Sequence, residues 1–217
     1  MAAILNPVEP MTQKVILHNI SWETYERLLA EHQESAGTRF SYDRGALEIM
    51  ILSLRHERLK HALATLVELL AEELNLDVEG AGSTTFRRQD LARGFEPDSC
   101  FYLANAEYIR RKDEIDLARD PAPELVIEID LSNPSLNKFL IFSSLGVSEV
   151  WRYDGAQVLI LRLQNGAYSE MSESAALPGV TSDAVSHLLE RGLTMKRADW
   201  RQSVREWVRT QIKKGLG

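Results

Sequence analysis

Two carboxylates and a lysine mark the part of this chain where chemistry is concentrated. Phe95-Glu96-Pro97-Asp98 leads into one predicted strand, Leu125-Val126-Ile127-Glu128-Ile129-Asp130 forms a second, and Lys138 follows at the front of a predicted helix. Side chains alternate along a strand, so Glu128 and Asp130 project one way while Leu125, Ile127 and Ile129 project the other. So apolar a strand belongs deep in a sheet, where an ionised carboxylate needs a metal or a charged partner. Hydrolysis of a phosphodiester needs an attacking water, neutralisation of charge on the phosphoryl oxygens and help for the leaving oxygen. Magnesium or manganese held by hard oxygen ligands supplies the first two, and a lysine near the water orients or deprotonates it. Asp98 and Glu128, on adjacent strands, are the expected metal ligands, with the Ile129 carbonyl completing the shell. Lys138, about one turn into its helix, reaches back over the strand ends. No H-E-x-x-H pattern directs the choice toward zinc.

The elements that must position these residues are legible from pattern. A helix is expected from Trp22 to His32, capped by Ser21, then a hairpin of 39–42 and 46–52 around Asp43-Arg44-Gly45. Leu59, Leu63, Leu66, Val67, Leu70 and Leu74 recur at helical spacing, so 56–74 reads as a long amphipathic helix. Strands are expected over 84–88, 98–103 and 125–130. A further helix has Asn133 as N-cap, Pro134 in its first turn and Gly146 just past its end. Strands at 147–153 and 158–164 follow, then an Asn165-Gly166 turn. The chain closes with a basic helix over 198–214 carrying Trp200, Val204, Trp207 and Val208 on one side. The middle therefore runs helix, strand, strand, strand, helix, strand.

Composition narrows the class. The 217 residues suit one hydrophobic core with a terminal appendage, and a single cysteine, Cys100, excludes an internal disulfide and a cysteine-built zinc site. Neither a signal peptide nor a bilayer-spanning run is visible, so a cytoplasmic, membrane-free protein is expected. The net charge of −7 argues against a nucleic-acid coat protein but not against a nuclease whose carboxylates are masked by metal. From Glu190 onward eight Lys/Arg face three Asp/Glu. That basic tail suits either phosphate or an acidic neighbour.

Pro97-Asp98 with Glu128, set in that order of elements, resembles the PD-(D/E)xK nuclease superfamily, whose fold is restriction-endonuclease-like. Several segments resemble more closely the endonuclease family called Uma-two: Tyr42-Asp43-Arg44-Gly45-Ala46-Leu47-Glu48-Ile49-Met50, Arg55-His56-Glu57, Gly82-Ser83-Thr84-Thr85, Phe95-Glu96-Pro97-Asp98, and the run from Leu145 to Asp154. The likeness spans about Ser21 to Leu189. It implies an α/β fold, a mixed sheet flanked by helices, to which the pattern reading adds an N-terminal helix-hairpin extension and a C-terminal basic helix. The division is a restriction-endonuclease-like domain over 1–190 and a basic helix over 191–217. It further implies metal-dependent DNA cleavage and a homodimer. Two positions depart from the pattern. The superfamily lysine two residues beyond the glutamate is Asp130 here, and the family's lysine in the next helix matches Lys138. The residue before it, often acidic in the family, is Asn137.

Each candidate has a plainer reading beside it. Asp98 also suits a turn, Glu128 a structural salt bridge, and Lys138 a solvated helix face. Asp130 suits an additional metal ligand, an arginine partner or an exposed strand end equally. Glu57, in the first turn of the long helix, is an ordinary dipole partner. Because the family's helix faces the site, Glu57 is also a candidate further metal ligand. His56 is a candidate for phosphate or a hydrogen bond, and one of Arg87 and Arg88 for phosphate. Glu48 reads more safely as an exposed strand glutamate than as a cleft residue. Cys100 reads as a plain buried cysteine, and the Trp200/Trp207 helix as a packing or dimer element. The rival to a DNA endonuclease is a nuclease fold that has lost catalysis and kept binding, a reading favoured by Asn137 and Asp130. RNA is the alternative substrate.

Overall fold

A computed structural model describes residues 13–32, 37–131 and 136–212. The fold is mixed α/β, with two sheets flanked by helices. The smaller sheet joins β1 (Gln13–Leu17), β3 (Ala46–Ile51), β2 (Thr38–Asp43), β6 (Arg93–Phe95) and β5 (Phe86–Arg88), in that spatial order. The larger runs β11 (Ala167–Met171), β10 (Val158–Gln164), β9 (Glu149–Tyr153), β8 (Leu125–Ile129), β7 (Ser99–Tyr102) and β4 (Glu79–Gly80). Only the β8–β9 pair is parallel among these ladders. Its crossover contains α4 (Lys138–Leu145), as a parallel connection requires.

Local chemistry accounts for the element ends. Ser21, Ser53 and Thr181 accept from Thr24, His56 and Ala184 amides at the starts of α1 (Trp22–Glu31), α2 (Leu54–Leu74) and α5 (Ser182–Thr194). The β2–β3 hairpin turns on Arg44 and Gly45, both at positive φ, and the β10–β11 hairpin on Asn165 and Gly166, likewise. Asn133 and Pro134 lie outside the described residues. Within them, α4 begins at Lys138, so Lys138 opens the helix instead of lying a turn inside it.

One face of the larger sheet is covered by α2, α5 and α6 (Arg197–Trp207), and the short α3 (Ala106–Ile109) lies between β7 and β8 in the chain. Leu63, Leu66, Val67 and Leu70 of α2 meet Leu125, Ile127, Ile129 and Trp151 of the strands. The other face carries Cys100, Val126 and Val150 against Ile141, Phe142 and Leu145 of α4 and against Phe86 and Phe95 of the smaller sheet. Cys100 is thus a core residue, its thiol pushed far up in pKa by burial. A third cluster packs Trp22, Tyr25 and Leu29 of α1 on Phe40, Tyr42 and Leu47.

The C-terminal helix is part of the main core. Trp200 is fully buried, its indole donates to the Leu188 carbonyl at 2.8 Å, and Val204, Val208 and Ile212 continue the contact. A side chain at Gly192 would meet the Trp200 ring at 2.6 Å, so α5 and α6 approach at a glycine. Arg205 and Arg209 pair with Glu72 and Glu73 at the end of α2, which gives the basic tail its acidic neighbour.

One expectation about the sheet is corrected. The strand near 84–88 does not join those of Asp98 and Glu128. As β5 it pairs with β6 in the smaller sheet, and the two-residue β4 takes the edge beside β7. Alternation and β propensity identify a strand but say nothing of which sheet recruits it. No helix among the described residues is long and apolar enough to cross a membrane.

Candidate active site

β7 and β8 are antiparallel neighbours with Ser99 opposite Ile127, so one further step of the register brings Asp98 level with Glu128. Asp98 is 1 % exposed and lies just before β7. Its Oδ2 accepts the Ile129 amide at 2.7 Å and lies 3.1 Å from Nε2 of the wholly buried His56. Burial works to raise the Asp98 pKa, but His56, Lys138 and the Ile129 amide outweigh it and hold the carboxyl below its ordinary value.

Glu128 accepts the Lys138 ammonium on Oε2 at 2.7 Å. Burial, with the nearby charges of Asp98 and Glu48, pushes its pKa up to about 7 against the opposing pull of Lys138. Burial alone would lower the pKa of Lys138, yet Glu128, Asp98 and Glu48 together raise it, so this lysine stays protonated. A cation at the first position of a helix opposes the helix dipole, at a cost of roughly 0.3–1 kcal/mol. Three carboxylates around the ammonium more than offset that.

Glu48 of β3 is the site residue that pattern reading misplaces. It is 1 % exposed, with Oε1 3.9 Å from Lys138 and Oε2 accepting the Leu136 amide at 3.1 Å. The available signal was Ala-Leu-Glu-Ile-Met-Ile, apolar on both sides of the glutamate, as in a strand covered on both faces.

Asp98 Oδ1, Glu128 Oε1 and Glu48 Oε1 are buried without a hydrogen-bond partner among the described residues. Hard oxygen atoms left bare in a dry site suit magnesium or manganese, so the donor set fits such an ion. As they stand, no three His, Cys, Asp or Glu side chains among the described residues converge closely enough to hold one. Glu128 and Lys138 open onto a pocket of ≈ 350 Å³ that Lys14, Asp130, Phe139 and Arg152 also line.

The other candidates lie elsewhere. Asp130 is held between Lys14 at 3.2 Å and Arg152 at 2.8 Å, so of its three readings the structure shows the basic-partner one. Glu57 is 3.9 Å from Nδ1 of His56, the opposite ring nitrogen from Asp98, and pairs with Lys60 at 3.1 Å. It lines a separate cleft of ≈ 1170 Å³, as does the exposed Arg87. His56, wholly buried, faces Asp98 and no surface that a phosphate reaches. Arg88 is spent on Asp90 and the Leu117 carbonyl. Helical and strand phase orient a side chain about its own element, but which neighbour it meets is set by tertiary packing.

The Uma2 family, described as "Putative restriction endonuclease", matches residues 22–196. No curated protein matches the chain. A crystal structure described as a putative nuclease belonging to DUF820, from Anabaena variabilis ATCC 29413, is 17 % identical. The match covers 76 % of this chain and 90 % of that one, with a TM-score of 0.43. With a family match running from the first helix through the last strand and α5, this chain belongs to the Uma2 family.

Proposed function

We propose that the protein is a divalent-metal-dependent endonuclease that hydrolyses DNA phosphodiester bonds. The observation that carries this reading is the buried Glu128–Lys138 pair beside Asp98, with one unbonded oxygen on each carboxylate and a pocket in front. Asp98 and Glu128 would hold magnesium or manganese, with the Ile129 carbonyl as a further oxygen ligand. Such an ion supplies charge neutralisation at the phosphoryl oxygens and a more acidic water. Lys138, 2.7 Å from Glu128, would position the attacking water. Asp98 is braced by the Ile129 amide and His56, which fix its free oxygen in place.

Alanine at Asp98 or Glu128 should abolish magnesium-dependent nicking of plasmid DNA while circular dichroism still reports a folded protein. Nicking at the wild-type rate in either variant overturns the assignment. A panel of DNA and RNA substrates tests the preference for DNA.

The incomplete convergence of acidic side chains favours a second reading, a non-catalytic binder with this fold. Stoichiometric manganese binding without cleavage of any nucleic acid is its signature. A homodimer is proposed on the edge strand β1, where Val15 (54 %), Ile16 (37 %) and Leu17 (38 %) are exposed beside Ile51 (54 %). Sedimentation of the wild type against Val15→Lys tests it.

A further inference from the structure

We infer that Glu48 is a third carboxylate ligand of the divalent ion, contributed by the smaller sheet, so that metal binding ties the two sheets together. The inference rests on the metal-dependent reading given above and extends it to a residue outside the β7–β8 pair.

Three carboxylates in the site share one arrangement. Each commits one oxygen to the protein: Asp98 Oδ2 to the Ile129 amide, Glu128 Oε2 to Lys138, and Glu48 Oε2 to the Leu136 amide. Each leaves its second oxygen buried and without a hydrogen-bond partner among the described residues. Glu48 is as deeply buried as Asp98, and its nearest cation, Lys138, stands 3.9 Å off and is already bonded to Glu128. With all three ionised, one ammonium leaves about two negative charges uncompensated in a dry site, which is costly. A doubly charged cation with a preference for oxygen cancels that excess and satisfies the bare atoms by drawing in three side chains that, as they stand, do not converge closely enough to hold it. Lys138 stands among the carboxylates now, carrying charge that the ion would share.

The alternative role for Glu48 is purely structural, holding the Leu136 amide and Lys138. The two roles separate in manganese titration calorimetry combined with thermal melts in EDTA and in manganese, on wild type, Glu48→Gln and Glu57→Gln. Glutamine keeps the shape and the acceptor for Leu136 but removes the charge. A third ligand predicts at least about tenfold weaker manganese binding in Glu48→Gln. It also predicts an EDTA melting temperature equal to or above wild type, and a smaller rise on adding manganese. Glu57→Gln should match wild type throughout. Wild-type manganese affinity in Glu48→Gln, with or without a lower EDTA melting temperature, overturns the inference and leaves the metal-dependent reading standing. A wild-type protein that binds no manganese overturns that reading and this one with it. Should Glu48→Gln fail to fold, Glu48→Asp keeps the charge on a shorter arm. Tenfold weaker binding there supports the third ligand, and wild-type affinity overturns it.

Discussion

The amide of Ile129 donates to Oδ2 of Asp98 at 2.7 Å, so the first carboxylate is bonded to the backbone immediately beyond the second. The separation of Asp98 and Glu128 is therefore set by a bond across the β7–β8 ladder as well as by strand pairing. Alanine at Asp98 strands that amide in the interior, and a buried donor without an acceptor costs roughly 1–3 kcal/mol. Asparagine retains an oxygen for the amide. Urea denaturation in EDTA should therefore rank wild type, Asp98→Asn and Asp98→Ala in falling order. Equal midpoints for the two variants would show that the bond contributes nothing.

Lys138 serves Glu128 as a counter-charge before it serves any substrate, because both side chains are nearly buried, at 12 % and 10 % exposure. Removing one partner of a buried pair leaves the other uncompensated, typically at about 3–5 kcal/mol. Lys138→Met should lose stability on that scale in metal-free buffer near pH 8. Adding Glu128→Gln to it should restore much of the loss. A double variant no more stable than Lys138→Met would mean that the ammonium answers chiefly to Glu48 and Asp98.

The raised Glu128 pKa dictates how metal-free stability varies with pH. The folded carboxyl keeps its proton to about 7, whereas in the unfolded chain it ionises near its ordinary value of 4.5. Between those limits the folded state binds more protons, so Glu128 costs stability as pH rises, and the full penalty is present above about 7. Asp98, with a lowered pKa, acts oppositely: its contribution is present above the ordinary aspartate value and is lost as pH falls below it. Melting curves in EDTA should show wild type losing ground to Glu128→Gln from about pH 4.5 to 7. Parallel profiles would overturn the perturbed value. Bound manganese should remove the difference by favouring the ionised form.

Local signals carried most of the elements and pointed to part of the candidate site. Ser21, the Arg44-Gly45 turn, the leucine periodicity of α2 and the Asn165-Gly166 turn act within a few residues, and each lies where sequence places it. Of the proposed ligands, Glu128 stood out because a glutamate inside Val-Ile-Glu-Ile conflicts with its surroundings, and Asp98 because a Pro-Asp step leads into a neighbouring strand. What sequence could not supply was partnership across the fold. Glu48 looked like the polar side of a two-faced hairpin until α4 and the β7–β8 ladder covered it. Glu57 and His56 are adjacent in one helix turn, yet they face different neighbours. Arg88 was open to phosphate until the nearby Asp90 and the distant Leu117 carbonyl claimed it.

Asp130 stands where the resembled PD-(D/E)xK motif carries lysine, so Asp130→Lys would complete the written motif, yet it should not speed cleavage. The side chain sits between Lys14 and Arg152, which together hold its pKa down against the effect of partial burial. Lysine there replaces two attractions by two repulsions beside the same cations. At this partial exposure each lost pair is worth only roughly 0.2–1 kcal/mol, so the protein should fold with a modestly lower melting temperature that recovers in high salt. The proposed water-orienting role falls to Lys138, whose ammonium is already 2.7 Å from Glu128. Cleavage should therefore remain at or below the wild-type rate in Asp130→Lys. In Asp130→Lys combined with Lys138→Met it should be absent. Nicking by that double variant would show that position 130 can supply the lysine after all, and would overturn the assignment of that role to the helix.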